Sequence, residues 1–97
     1  MIEIRVFSLA SGVAEEEFLR ADVAVQTEFA PFQPGFIRRT TARGERENTW
    51  LVLTLWRDAE TAREASEAMV SDPVGGAFRA LVDPATERVA LFSELGG

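Results

Sequence analysis

The run Thr49–Trp56, TWLVLTLW, leaves few folds open to this chain. As a β-strand it puts Leu51, Leu53 and Leu55 on one face and Trp50, Val52, Thr54 and Trp56 on the other. Both rows are apolar, so water can be tolerated on neither. Alternation alone does not say which row meets the helices of the protein. Helices on one side of an antiparallel sheet leave the other side to solvent, and strands of such a sheet ordinarily alternate apolar with polar. Here, whichever row is covered, a second large apolar row remains. Three such side chains approach the few hundred Å² of contiguous apolar surface that a monomer usually exposes. Burying each contributes roughly 1.5–3 kcal/mol. The simplest cover is a second copy of the same sheet, so the strand predicts a symmetric homodimer.

The rest of the chain supplies the elements around this strand. IEIRVFSL begins with strict alternation: Ile2, Ile4 and Val6 point one way, Glu3, Arg5 and Phe7 the other. After the ASG break, Ser11 is placed to cap a helix whose first turn holds Glu15, Glu16 and Glu17. From about Val13 to Ala30 the period changes, and Ala14, Phe18, Ala21, Val25 and Phe29 form one helical stripe. Pro31 and Pro34 end it, and QPG makes a turn. FIRRTTAR reads as a polar, β-branched strand, and GEREN as a turn containing Asn48. Asp58 caps a second helix, AETAREASEAMV, with Ala59, Ala62, Ser66 and Met69 expected on its inner face. Asp72-Pro73 starts a short third helix carrying Phe78, Leu81 and Val82. TERVALFSEL is the last strand.

The order β-α-β-β-α-β with right-handed crossovers predicts a ferredoxin-like α+β fold over residues 1–97, one domain. Its antiparallel sheet runs β4-β1-β3-β2, with the helices on one face. The strand chemistry agrees: the most apolar strand falls inside, and the charged FIRRTTAR falls at an edge, where charge discourages stray pairing.

Composition narrows the chemistry. Sixteen acidic against ten basic residues give a net charge of −6. Such a surface repels phosphate backbones and anionic lipid, so neither nucleic acid nor membrane is expected as a partner. MIEIRVFSLA carries charge within its apolar run and is neither a signal peptide nor a membrane span, so the expected compartment is cytoplasmic. The chain has no cysteine, histidine or tyrosine. That removes thiolate sites and the commonest general base and metal ligand; no metal is expected.

PFQPGFIRR, where a helix ends in a PGF turn into a strand, and LTLWRDAETAREA, where a strand ends in Trp and enters a helix through Asp-Ala-Glu, resemble one family. Together with the element order and the two-faced sheet, the chain is similar to the antibiotic biosynthesis monooxygenases of the dimeric α+β barrel superfamily. The resemblance covers nearly the whole chain. It implies a pocket in each subunit between helices and sheet. Some members oxidise polycyclic aromatic phenols with O₂ and no cofactor, which implies that none is expected here; others bind and degrade haem. Trp56 falls where many members have a strand-end tryptophan. The haem-degrading branch needs a histidine on the following helix, and this chain has none.

Candidate site residues come from placing that pocket on the elements above. With Phe18 at zero and about 100° per residue, Val25 lies near −20°, Phe29 near 20°, Asp22 near 40° and Gln26 near 80°. A carboxylate and an amide therefore flank the stripe facing the sheet. Asp22 is either a base or polar anchor of the pocket, or a boundary carboxylate paired with Arg5, Arg38 or Arg39. Phe18, Gln26 and Phe29 are expected in the wall from the first helix and Met69 from the second. Arg38 and Arg39 must face opposite ways; Arg39 is taken as the one entering the pocket, where it can hold an anionic oxygen. Trp56 is the pocket tryptophan, whereas Trp50 belongs to core or interface. The function expected is a cofactor-independent monooxygenase of an aromatic or phenolic substrate. The alternative is a non-catalytic dimer that binds a small apolar ligand or serves a structural role.

Overall fold

The computed structural model describes residues 1–97. In chain order the elements are β1 (Ile2–Phe7), α1 (Glu15–Ala24), β2 (Phe36–Arg43), β3 (Trp50–Trp56), α2 (Ala59–Ser71), α3 (Pro73–Arg79) and β4 (Arg88–Phe92). The four strands form one antiparallel sheet in the expected order, β2-β3-β1-β4. The fold is ferredoxin-like α+β.

Several local signals act where the sequence puts them. Asp58 caps α2: its carboxylate accepts from the Thr61 backbone N–H at 2.9 Å, and the Thr61 hydroxyl accepts from the Asp58 N–H at 3.4 Å. Asp72 caps α3, accepting from the N–H groups of Val74 and Gly75. Gly35 in the PGF turn has φ +78°, and a Cβ there would collide with the Thr61 side chain. Glycine thus lets β2 begin hard against the first turn of α2. Asn48 is the turn residue expected, with φ 53°, and its amide brackets Leu9 by accepting from the N–H and donating to the carbonyl.

The first helix differs from the expected single span. It starts at Glu15 with Ala14 at the N-cap position, so Ser11, exposed in the preceding turn, is not its cap. The α-helix stops at Ala24. Val25–Phe29 continues as a π-helical turn and Ala30–Phe32 as a 3₁₀ turn. The Thr27 hydroxyl donates to the Val23 carbonyl at 2.9 Å, a back-bond of the kind that bends helices. The wider turn rotates every side chain after Ala24 away from its place on an ideal wheel.

The two-faced strand is resolved. Trp50, Val52, Thr54 and Trp56 are the row beneath the helices, each 4–6% exposed. Leu51, Leu53 and Leu55 form the open face. They pair with Val6, Ile4 and Ile2 across β1. Six aliphatic side chains thus fill the middle of a sheet face that no helix covers. Arg38, Thr40 and Ala42 flank them on β2, and Arg88, Ala90 and Phe92 on β4. The centre is wholly apolar, while the flanks are mixed, with Arg38, Thr40 and Arg88 beside Ala42, Ala90 and the exposed Phe92. The parity that sends Ile2, Ile4 and Val6 outward sends Glu3, Arg5 and Phe7 under the helices.

The helix side holds two separate cores. The larger joins Phe7, Phe18, Trp50, Val52 and Phe78 with residues from α1 and the π turn. Phe18 is fully buried and touches three rings, with centroids 4.8 Å from Trp50, 5.4 Å from Phe78 and 5.7 Å from Phe7. The smaller is Trp56 with Ala62 and Ala65. The inner face of α2 is therefore Thr61, Ala62 and Ala65; Ala62 is buried as expected, whereas Ala59, Ser66 and Met69 sit half-buried at the margin. Small side chains let α2 lie close over the indole of Trp56.

Candidate active site

Between the two cores runs a polar seam that contains a cavity of about 40 Å³. Val52, Thr54 and Trp56 form its floor, the π turn supplies Val25 and Phe29, and α2 supplies Ser66 and Met69. Glu3, Arg5 and Arg39 bring charge to it. A second cavity, about 310 Å³ and more open, adjoins it beneath α3. The two share Arg5, Met69 and Phe78 in their walls. The inner cavity alone has room for water-sized occupants. Joined, the two reach the few hundred Å³ typical of small-molecule sites.

The sequence-derived candidates divide. Trp56, Phe29, Arg39 and Met69 all line the inner cavity. Phe18 does not: it is sealed within the larger core by its three aromatic neighbours. Asp22 and Gln26 do not either. The Asp22 carboxylate is turned onto Arg39, whose Nη2 lies 2.8 Å from Oδ1, and the Thr41 hydroxyl donates to the same oxygen at 2.8 Å. Gln26 accepts from Arg39 Nη1 at 3.3 Å. Asp22 is thus the arginine-paired boundary carboxylate, and Asp22, Gln26 and Thr41 together form a clamp that aims the guanidinium. Arg39 is 5% exposed and lies over the Phe78 ring, 5.6 Å from its centroid. Arg38, on the opposite face, is exposed.

Sequence reasoning missed the other polar end. The Glu3 residue is 8% exposed. Its Oε1 accepts from Trp56 Nε1 at 3.1 Å; its Oε2 accepts from Arg5 at 3.3 Å and from the Ser66 hydroxyl at 3.4 Å. Arg5 also donates to Glu87 at 2.9 Å. A carboxylate and a guanidinium placed under a helix are costly to desolvate, and such groups gather at functional sites. The signal was present in the alternation of IEIRVF, but not its direction. The two tryptophans also differ: Trp56 Nε1 has Glu3, whereas Trp50 Nε1 is buried with no acceptor and its ring packs against Phe18 and the Arg43 guanidinium. No three acidic side chains come together as a cation site.

This arrangement, helices on one face of a four-stranded antiparallel sheet, is the fold of the antibiotic biosynthesis monooxygenases. The chain is similar to SnoaB, a cofactor-independent oxygenase from Streptomyces nogalater, at 26% identity over 99% of this chain and 93% of that one. The TM-score is 0.77 against a single-site mutant and 0.73 against a second structure of that oxygenase. It also matches proteins described as candidate antibiotic biosynthesis monooxygenases from Nitrosomonas europaea (14% identity, 97% and 88% of the two chains, TM-score 0.74) and Caulobacter crescentus (13%, 96% and 89%, 0.69). These two likenesses concern the fold alone. No family model matches the chain, and no curated protein does.

Proposed function

We propose that the protein is a cofactor-independent monooxygenase acting on a flat aromatic phenol, in the cytoplasm, as a homodimer joined through its open sheet faces. The observation carrying this reading is the seam at Trp56: an apolar slot with guanidinium groups near it, in a chain similar over its length to a cofactor-independent oxygenase. The ring lies against Trp56 and Phe29, stacking of this kind contributing about 0.5–1.5 kcal/mol. Its oxygen points to Arg39 or Arg5, whose positive charge favours the phenolate over the phenol. Exclusion of water strengthens that preference. The electron-rich anion then reacts with O₂ directly. For the substrate to enter, Met69 swings aside and joins the two cavities.

The dimer belongs to the same reading. The six aliphatic residues of the open face are covered when a second sheet packs on the first, and Arg38 and Arg88 remain at the rim. The size of the inner cavity, about 40 Å³, favours a second reading, a non-catalytic dimer with a nearly filled core. Oxygen uptake separates the two. With α-naphthol as probe, the enzyme consumes one O₂ per naphthoquinone formed, above the rate in buffer. Absence of uptake across a panel of naphthols and tricyclic phenols refutes the oxygenase.

A further inference from the structure

The reaction proposed above needs a group to take the phenolic proton, and the chain has no histidine, tyrosine, cysteine or lysine to do so. Among the side chains only carboxylates are left, and the Met1 amine, which donates to the Trp56 carbonyl, does not line the inner cavity. Of the sixteen acidic residues, Glu3 is the one that lines the inner cavity. Asp22 stands behind Arg39, with its Oδ1 already taken by two donors. Glu87 reaches the outer cavity only and is tied to Arg5. We propose that Glu3 is the catalytic base of this site, an inference that rests on the monooxygenase reading.

The geometry suits the task. A carboxylate offers about four lone-pair positions. Three are occupied in Glu3: one on Oε1 by Trp56 Nε1, two on Oε2 by Arg5 and Ser66. The fourth, on Oε1, accepts no hydrogen bond within the chain, and Glu3 and Trp56 both line the inner cavity. The donors on Oε2 fix the carboxyl plane, and Arg5 keeps a positive charge beside both base and developing anion. The steps balance. The phenolic O–H bond breaks and the proton goes to Glu3 Oε1, leaving the phenolate. The phenolate ring carbon gives an electron to O₂, and the radical pair closes to a carbon–peroxide bond. Glu3 returns its proton to the peroxide. The O–O bond then breaks as the ring C–H proton leaves, giving quinone and one water. One phenol and one O₂ become one quinone and one H₂O, with dioxygen as the only oxidant.

The test separates proton transfer from oxidation. Without oxygen, α-naphthol bound to the parent protein at neutral pH should show the red-shifted absorption of naphtholate; bound to Glu3→Gln it should show the neutral spectrum. In air, quinone formation by Glu3→Gln should fall by roughly 10²–10⁴-fold, the usual worth of a positioned base, while naphthol still binds. An amide beside Arg5 disturbs the seam, so the parent protein is also titrated with the methyl ether of α-naphthol, which has no proton to give. The ether should bind at least tenfold more weakly than the naphthol. Naphtholate absorption that persists in Glu3→Gln, a neutral spectrum in the parent, or equal affinity for naphthol and ether each overturns the role of Glu3. A naphtholate band in the parent that is lost in Glu3→Gln, without oxygen uptake in air, refutes the monooxygenase and leaves Glu3 as the proton acceptor.

Discussion

Replacing Asp22 with Leu should destabilise the protein, and replacing Arg39 with Met should do so similarly, yet the two together should cost much less than their sum. The side chains are 13% and 5% exposed and their charged atoms are 2.8 Å apart. Removing one partner of a buried pair costs about 3–5 kcal/mol, because the other charge is left without compensation. The residual exposure of Asp22 puts the single variants near the lower end, about 3 kcal/mol. That is a large share of the 5–15 kcal/mol that stabilises a typical domain. For a chain of this size it lowers Tm by more than about 10 °C. The double variant replaces an ion pair by apolar groups of similar length, which is often close to neutral. Urea unfolding of parent, singles and double, all at one protein concentration, gives the coupling energy, expected at about 6 kcal/mol when singles of about 3 kcal/mol each meet a neutral double. Additivity within about 0.5 kcal/mol would refute the clamp. The same set tests the base: if Asp22 took the substrate proton, Asp22→Asn would abolish oxidation of α-naphthol at little cost in stability, contrary to the geometry.

Light scattering of the parent at micromolar concentration should give about twice the 10.7 kDa chain mass. Leu53→Asp, at the centre of the open face, should yield monomer or insoluble protein, and a monodisperse parent monomer would refute the covered sheet. Val52→Asp, 6% exposed beneath the helices, should instead abolish folding. Trp56→Phe keeps a ring in the wall but leaves Glu3 one donor short, so stability should fall by about 1.5–3 kcal/mol, the worth of a hydrogen bond to a charged group. Its affinity for α-naphthol, followed by Trp50 fluorescence, should weaken by about 0.5–1.5 kcal/mol; unchanged affinity removes Trp56 from the site. The Thr61 backbone N–H, then its hydroxyl, hold the Asp58 carboxyl below its ordinary 3.8. A depressed pKa stabilises the fold above the unfolded value, and that contribution is lost as pH falls below 3.8 through the folded value. The Tm gap between parent and Asp58→Ala should therefore narrow with acidification from neutral pH into that range, and a gap that stays constant refutes the cap.

Much of the site was legible in part. Trp56 and Arg39 line the inner cavity; the first was placed there by the family resemblance, the second as one of two adjacent strand residues forced to opposite faces. Phe29 and Met69 also reach the cavity. Phe18 and Gln26 did not, for a reason particular to α1. The wheel assumed one regular helix to Ala30, but the π turn at Val25–Phe29 rotates the side chains beyond Ala24, and three rings close over Phe18. Asp22 sits near the expected face, yet its acceptor is spent on Arg39 and Thr41.

By itself the sequence determined the element order, the strand order and the two apolar rows of β3. Those features arise from local periodicity and from the connection rules, which do not depend on distant contacts. Alternation, however, defines two rows without saying which is inside. Only the packed sheet decided that the tryptophan row meets the helices and the leucine row lies open. The register of β1 on β3 then fixed the rest, joining Ile2, Ile4 and Val6 to the leucines and sending Glu3 and Arg5 inward. Isolated, β1 would be expected to bury isoleucine and expose glutamate. The tertiary structure reverses this, because Trp56 and Ser66 supply donors for Glu3 under α2, while an open apolar face is one that a second sheet can cover.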